Sequence, residues 1–231
     1  MFFAIRIKPF IIYSWQNNDV VEMNGKDTIK SETTVKAFPI LAAEPAPLGL
    51  IGLAIAALVL ASTDLKLASS TAKSLMIPWT LFLGATAQLI AGIMDFKRNN
   101  IFGATTFTTY SLLWYSVSLT LFITVFTGVK FDLTHYAYGL IGFLIFSIIL
   151  TVASLMTNKT LFAILFFIDL AILALVLNIL CKTAAELVGV FLILVSVFSF
   201  YGAAGVLLNN MAGKTVLPLG KAIITPKKSP T

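Results

Sequence analysis

Asp169 stands in the middle of the apolar stretch LFAILFFIDLAILAL. An ionised carboxylate at the centre of a membrane helix costs about 2.5–3.5 kcal/mol on the insertion scale. Acids kept at such positions face a cavity or a partner, and they mark pathways. Asp169 is therefore a candidate proton carrier. The plainer alternative is a neutral carboxyl bonded to a neighbouring helix. No lysine or arginine lies inside an apolar run to pair with it. Gln88 is a second candidate. It sits between Gly84 and Gly92 at steps of four residues, which puts all three on one helix face. Small residues let helices approach closely, and a buried amide must find a partner. Gln88 thus either bonds a neighbouring helix or faces a solute. The glycine pairs Gly49 and Gly52, Gly139 and Gly142, and Gly202 and Gly205 read first as close-packing positions.

The stretch GATTFTTYSLLWYSVSLT carries hydroxyls on every face, Thr105 and Thr109 among them. Each can serve helix–helix hydrogen bonding, at about 0.6 kcal/mol per bond on average. They can equally line a wet path with neutral donors. Upstream, Glu44 is followed by Pro45, Ala46, Pro47, Leu48, Gly49 and Leu50. Each proline lacks an amide donor and disfavours helix in the residue before it. The chain should enter extended and turn helical near Pro47. A helix start offers free amides and positive potential to an anion; an ordinary proline helix start is the alternative.

Other chemistries lack their residues. His135 is the sole histidine and Cys181 the sole cysteine. There is no H-E-x-x-H, G-x-S-x-G or phosphate-binding loop. No metal site, cofactor or enzyme activity is expected. The net charge of +6 does not indicate nucleic acid, because the positive residues flank apolar runs.

The elements that must position these residues follow from composition. Of 231 residues 58% are hydrophobic and 11% charged, whereas a soluble domain carries about 25% charged residues. A membrane helix needs about 20 mostly apolar residues. Six runs qualify: Pro47–Ala61, Leu75–Met94, Gly103–Phe126, Tyr136–Met156, Thr160–Leu180 and Ala184–Leu208. None alternates as a barrel strand would. The expected class is an all-α membrane protein with six transmembrane helices over residues 44–210. Residues 1–43 are expected to form a disordered cytoplasmic tail, polar from Asn17 to Lys36, and residues 211–231 a second cytoplasmic tail. Met23 is an alternative start of translation. With both termini inside, twelve of the 16 Lys and Arg are cytoplasmic; Lys66, Lys73, Lys130 and Lys182 are outside. That asymmetry sets the orientation.

In this setting the chain resembles the acetate uptake transporter family, which includes the succinate–acetate permeases. Pro45–Leu50 looks like the family's signature. Ala87-Gln88, Ala91-Gly92, Asp95-Phe96-Lys97-Arg98, Phe102-Gly103-Ala104-Thr105, Phe107 and Tyr110 follow its pattern in order. Gly213-Lys214-Thr215-Val216-Leu217-Pro218-Leu219-Gly220 resembles its ending. The resemblance implies six helices bundled around a pore, a hexamer of such protomers in the plasma membrane, and surrounding lipid. It implies transport of acetate and related small carboxylates, by proton symport or as a channel. It also implies an apolar constriction at Leu53, Tyr110 and Ile168. Leu53 stands where the family usually has phenylalanine, Glu44 where it has asparagine, and Asn99 where it has glycine. Asp169 occupies a position where the family is not expected to have an acid. Two alternatives remain at this point: a passive channel for acetate or a small neutral solute such as urea, and a non-transporting signalling or assembly protein.

Overall fold

The computed structural model describes residues 10–13, 20–23, 42–69, 74–128 and 132–225. Among these, six helices are long and apolar enough to cross a membrane. They are α1 (Ala46–Asp64), α2 (Met76–Lys97), α3 (Ile101–Thr127), α4 (Thr134–Ser154), α5 (Lys159–Cys181) and α6 (Ala185–Ala212). The shortest has 19 residues and the longest 28, or about 28 and 42 Å at 1.5 Å per residue. A bilayer core is about 30 Å thick. The observed ends fall within four residues of those expected; the largest difference is α6, which continues past Leu208 to Ala212. Residues 42–45 precede the first helix without regular structure, but Pro45 already has helical dihedrals, at φ −85° and ψ −16°, so the expected extended entry does not reach Pro47.

The helix ends have local causes. Asn100 and Asn158 cap α3 and α5, their side chains accepting from Gly103 N at 3.2 Å and Leu161 N at 2.9 Å. Such caps satisfy amides that the first turn leaves without partners. Gly128 and Gly213 end α3 and α6 in the left-handed conformation, at φ 64° and 62°. The turn from α2 to α3 passes through Asn99 at φ 57°. Asparagine tolerates this region better than other residues with a Cβ, which explains why it can stand where the resemblance implies a glycine.

Around the ring, α1 packs on α2 and extensively on α6, α6 on α5, α5 on α4, and α2 on α3. The seam between α3 and α4 is far thinner. There Tyr110 of α3 meets Phe143 of α4 edge to face, with ring centroids 5.2 Å apart. The α2 helix carries a wider, π-helical segment at Thr80–Ala87. Thr86 Oγ1 donates to the Leu81 carbonyl five residues back, at 2.9 Å. Gly52 of α1 lies against the Leu83 carbonyl in this segment, so close that a Cβ there would collide with backbone.

Gly49, Gly52, Gly84 and Gly92 pack as the spacing suggested, against Phe107, Leu83, Trp114 and Thr108 respectively. Gly202 and Gly205 meet Leu50 and Leu219. Gly139 and Gly142 do not: a Cβ at either would meet nothing within 4 Å. Gly139 lines an outer groove between α3 and α4.

Beyond α6 the chain folds back as a strap. Asn209 takes the Val216 and Leu217 amides on its side-chain oxygen and donates to the Leu217 carbonyl. Thr160 donates both its amide and its hydroxyl to the Leu219 carbonyl, at 3.1 and 3.0 Å. The Ile223 and Ile224 amides share the Leu155 carbonyl. Residues 213–225 are thus tied to the starts and ends of α4, α5 and α6; the remainder of the expected 211–231 tail lies outside the described residues.

The N-terminal unit is separate. Phe10–Tyr13 pairs antiparallel with Val20–Met23, with Phe10 opposite Met23. The disorder expected over residues 1–43 therefore does not extend to Phe10–Tyr13 or Val20–Met23; residues 1–9, 14–19 and 24–41 lie outside the described residues.

Candidate functional site

Two cavities lie end to end along the axis of the bundle. The distal one, toward the loops after α1, α3 and α5, holds about 70 Å³. Its wall is almost wholly apolar and includes Ala57, Trp114, Leu140, Ile172 and Leu192. The proximal one, toward the starts of those helices, also holds about 70 Å³. A water needs about 10–15 Å³ on this measure, so each has room for several waters or one small solute. The proximal wall is mixed, with Leu50, Phe107 and Ile164 beside Gln88, Asp95 and Thr106.

The two cavities share Leu53, Tyr110 and Ile168. These come from α1, α3 and α5, and all three are buried. The position follows from the helix phases: the inward faces of three separate helices converge midway along the axis.

The proximal cavity contains polar groups without partners. Gln88 is buried, and its Nε2 has no hydrogen-bond partner among the described residues. The same holds for Thr106 Oγ1. Both are neutral donors at the cavity. Asp95 is fully buried, and the Asn100 side chain lies beside its carboxylate. Its nearest charge is Arg98 Nη1 at 3.8 Å. Asp95 also explains Gly103, because a Cβ there would strike the Asp95 carboxylate. Next to the lining residues Ala46 and Asp95, Arg98 Nη2 meets Glu44 Oε2 at 2.7 Å. This bond raises the already high pKa of the guanidinium, so it stays charged. Glu44 Oε1 also accepts from the Ala46 amide at 3.3 Å, which occupies an amide at the start of α1.

Asp169 faces away from both cavities. Ser147 of α4 donates to its Oδ1, and Thr151 donates to Oδ2 at 2.7 Å. The Tyr110 hydroxyl lies 2.6 Å from the same Ser147 Oγ. Asp169 is therefore joined to the constriction through one serine.

The other expected residues separate. Thr105 lines neither cavity. Thr109 lines an outer groove between α3 and α4, with Ser116, His135 and Tyr136. Of the signature, Ala46 and Leu50 reach the proximal cavity, while Pro45 caps α1 and Gly49 packs on Phe107. Asp169 is not the only acid buried inside a helix, as its place in a long apolar run suggested; Asp95 is buried more completely. Its position at the charged end of a run concealed it. The spacing Asp95–Arg98, one helical turn, was the signal that could have exposed it.

The model of the GPR1/FUN34/yaaH family matches residues 28–220. The chain is 27% identical over 190 residues to the succinate-acetate/proton symporter SatP of Escherichia coli K12, covering 78% of this chain and 96% of that protein. It is 29% identical over 143 residues to acetate permease A of Emericella nidulans, covering 58% of this chain and 48% of that protein. The solved structure of the bacterial acetate channel SatP superposes with a TM-score of 0.71 at 25% identity, covering 78% of this chain and 99% of that one.

Proposed function

Because the chain belongs to the GPR1/FUN34/yaaH family, we propose that it carries acetate and related small carboxylates across a membrane along the axis of its own six helices. The observation that carries this reading is the pair of cavities meeting at Leu53, Tyr110 and Ile168. Acetate has a methyl group and one charge. The distal wall suits the methyl, and the unpartnered donors Gln88 Nε2 and Thr106 Oγ1 suit the carboxylate. Leu53, Tyr110 and Ile168 form the constriction that the solute must pass. A site that must release its ligand is better built from neutral donors than from a full charge pair.

The Glu44 charge is answered by Arg98 beside the proximal cavity, so it does not bar an anion. A proton accompanies the carboxylate; the symporter name of the Escherichia coli relative supports this reading. Both termini face the cytoplasm, as the lysine and arginine asymmetry indicates, and the membrane is the plasma membrane. Protomers assemble as a hexamer among lipids, as the resemblance to the acetate uptake transporter family implies.

The test is labelled acetate uptake by proteoliposomes with the interior alkaline, against protein-free vesicles that report acetic-acid permeation. Accumulation beyond that control, lost when the gradient is collapsed, is the expected result. Protein-dependent equilibration that ignores the gradient would make the protein a passive channel. Absence of flux for acetate and for urea alike would favour a signalling or assembly role.

A further inference from the structure

Ser147 is the junction of a hydrogen-bond chain that crosses three helices beside the constriction. On one side it meets the Tyr110 hydroxyl, and on the other Asp169 Oδ1. Thr151 fills the second carboxylate oxygen. A hydroxyl has one proton to give, and an ionised carboxylate only accepts. With Asp169 ionised, Ser147 must donate to Asp169, and Tyr110 must donate to Ser147. The phenolic proton then points into the seam between α3 and α4. With a proton on Asp169 Oδ1 the chain can run in reverse. The carboxyl donates to Ser147, and Ser147 donates to the phenolic oxygen. The Tyr110 proton is then directed away from Ser147. Tyr110 has no other hydrogen-bond partner among the described residues and lines both cavities.

We propose that Asp169, acting through Ser147, sets the direction in which Tyr110 donates, so that the constriction offers a carboxylate a hydrogen bond only when Asp169 holds a proton. Asp169 is thus a positioning residue rather than a carrier on the path. The reversal balances simply. One proton is bound from water at half-buried Asp169. Ser147 and Tyr110 keep their own protons, and only their O–H bonds rotate. This use of the chain rests on the transport reading above.

No ion pair among the described residues includes Asp169. On α4, His135, Tyr136 and Tyr138 lie at least nine residues before Ser147, about 14 Å along the helix. On α6, Glu186 pairs with Lys66 at one end, and Tyr201 bonds the Pro218 carbonyl at the other. On α5 itself, Lys159 and Cys181 occupy the two ends. On α3, Tyr115 bonds Thr86 of α2. The titratable group joined to Asp169 is Tyr110.

Two readouts test the proposal on the full-length protein. The Raman doublet of tyrosine reports whether a phenol donates or accepts, and the difference between wild type and Tyr110→Phe isolates Tyr110. Titration should move that signal from donor to acceptor character as the pH falls. Asp169→Asn and Ser147→Ala should each abolish the step. In proteoliposomes, Asp169→Asn should remove a pH-dependent component of acetate KM, and should leave the pH profile unchanged when Tyr110 is already Phe. A Raman step that persists in Asp169→Asn overturns the proposal, as does a wild type with no step. So does an effect of Asp169→Asn on the flux profile that is equal in the Tyr110 and Tyr110→Phe backgrounds. A Raman step that depends on both residues, in a protein without acetate flux, supports the chain and counts against the transport reading instead.

Discussion

Glu44 and Arg98 meet at 2.7 Å beside the proximal cavity, joining the segment before α1 to the end of α2. Each side chain keeps about a third of its surface exposed, 31% and 28%. Water therefore screens the pair, and its contribution to stability is about 1 kcal/mol or less. Its larger effect is on the field at the cavity. Glu44→Gln leaves Arg98 with one fewer negative neighbour. The expected result is an acetate KM about two- to tenfold lower at low ionic strength, with the gain shrinking as salt is added. Initial uptake rates measured across a salt series check this. A KM that does not respond to salt would separate the pair from substrate capture.

The resemblance implies phenylalanine at position 53, where this chain has Leu53, one of the three residues common to both cavities. A pocket discriminates by about tenfold or more per methylene when fit is tight. Leu53→Phe should lower propionate flux relative to acetate by about that factor, and Leu53→Ala should raise the ratio. Competitive uptake of the two labelled acids reads it directly. Equal ratios in all three proteins would remove Leu53 from the selectivity of the path.

At Gly52 a methyl group would strike the Leu83 carbonyl, and backbone cannot turn aside as a side chain can. Gly52→Ala should destabilise the purified protein by about 1–3 kcal/mol, the usual range for overpacking. Gly139→Ala is the control, because nothing stands within 4 Å of its added carbon. Its effect should stay within about 0.5 kcal/mol. Thermal unfolding in detergent compares the two.

The turn between α2 and α3 tests backbone preference. Asn99 holds φ 57°. Asn99→Gly should be neutral or slightly stabilising, while Asn99→Val should be destabilised by about 1–2 kcal/mol. The same unfolding assay applies, and equal stability of the two variants would contradict the assignment of this turn.

Asn209 makes three hydrogen bonds to the strap. At about 1 kcal/mol each, their loss in Asn209→Ala should speed amide exchange across residues 213–225 by one to two orders of magnitude. Exchange in α1 should be unchanged. Mass-resolved hydrogen exchange on the intact protein distinguishes a local release from global loosening.

Helix existence and rough length were legible because both follow from composition over a long window. Asn100 and Asn158 mark helix starts that the apolar runs located only to within a residue or two. What faces the axis was less legible. Leu53, Tyr110 and Ile168 were expected together from the resemblance alone; no periodicity in so uniformly apolar a helix singles out one face. Thr105 and Thr109 look alike in sequence, yet one lines neither axial cavity and the other opens on an outer groove. Asp95 was hidden because hydropathy assigns the polar end of a run to water, whereas here the next helix starts beside it and covers it. The partners of Asp169 were hidden for another reason. Ser147 and Thr151 are ordinary hydroxyls, and only the register of α4 against α5 brings them to the carboxylate.

The broad packing of α1 on α6, set against the thin seam between α3 and α4, gives the bundle the mechanics of a book. Its spine is broad, and its fore-edge is held by Tyr110 against Phe143 and Ser147 and by Tyr136 against Ser116. A few degrees of rotation about the spine would part the fore-edge while leaving the spine nearly intact. The junction of the two cavities therefore shares a side chain with the thinnest seam of the wall.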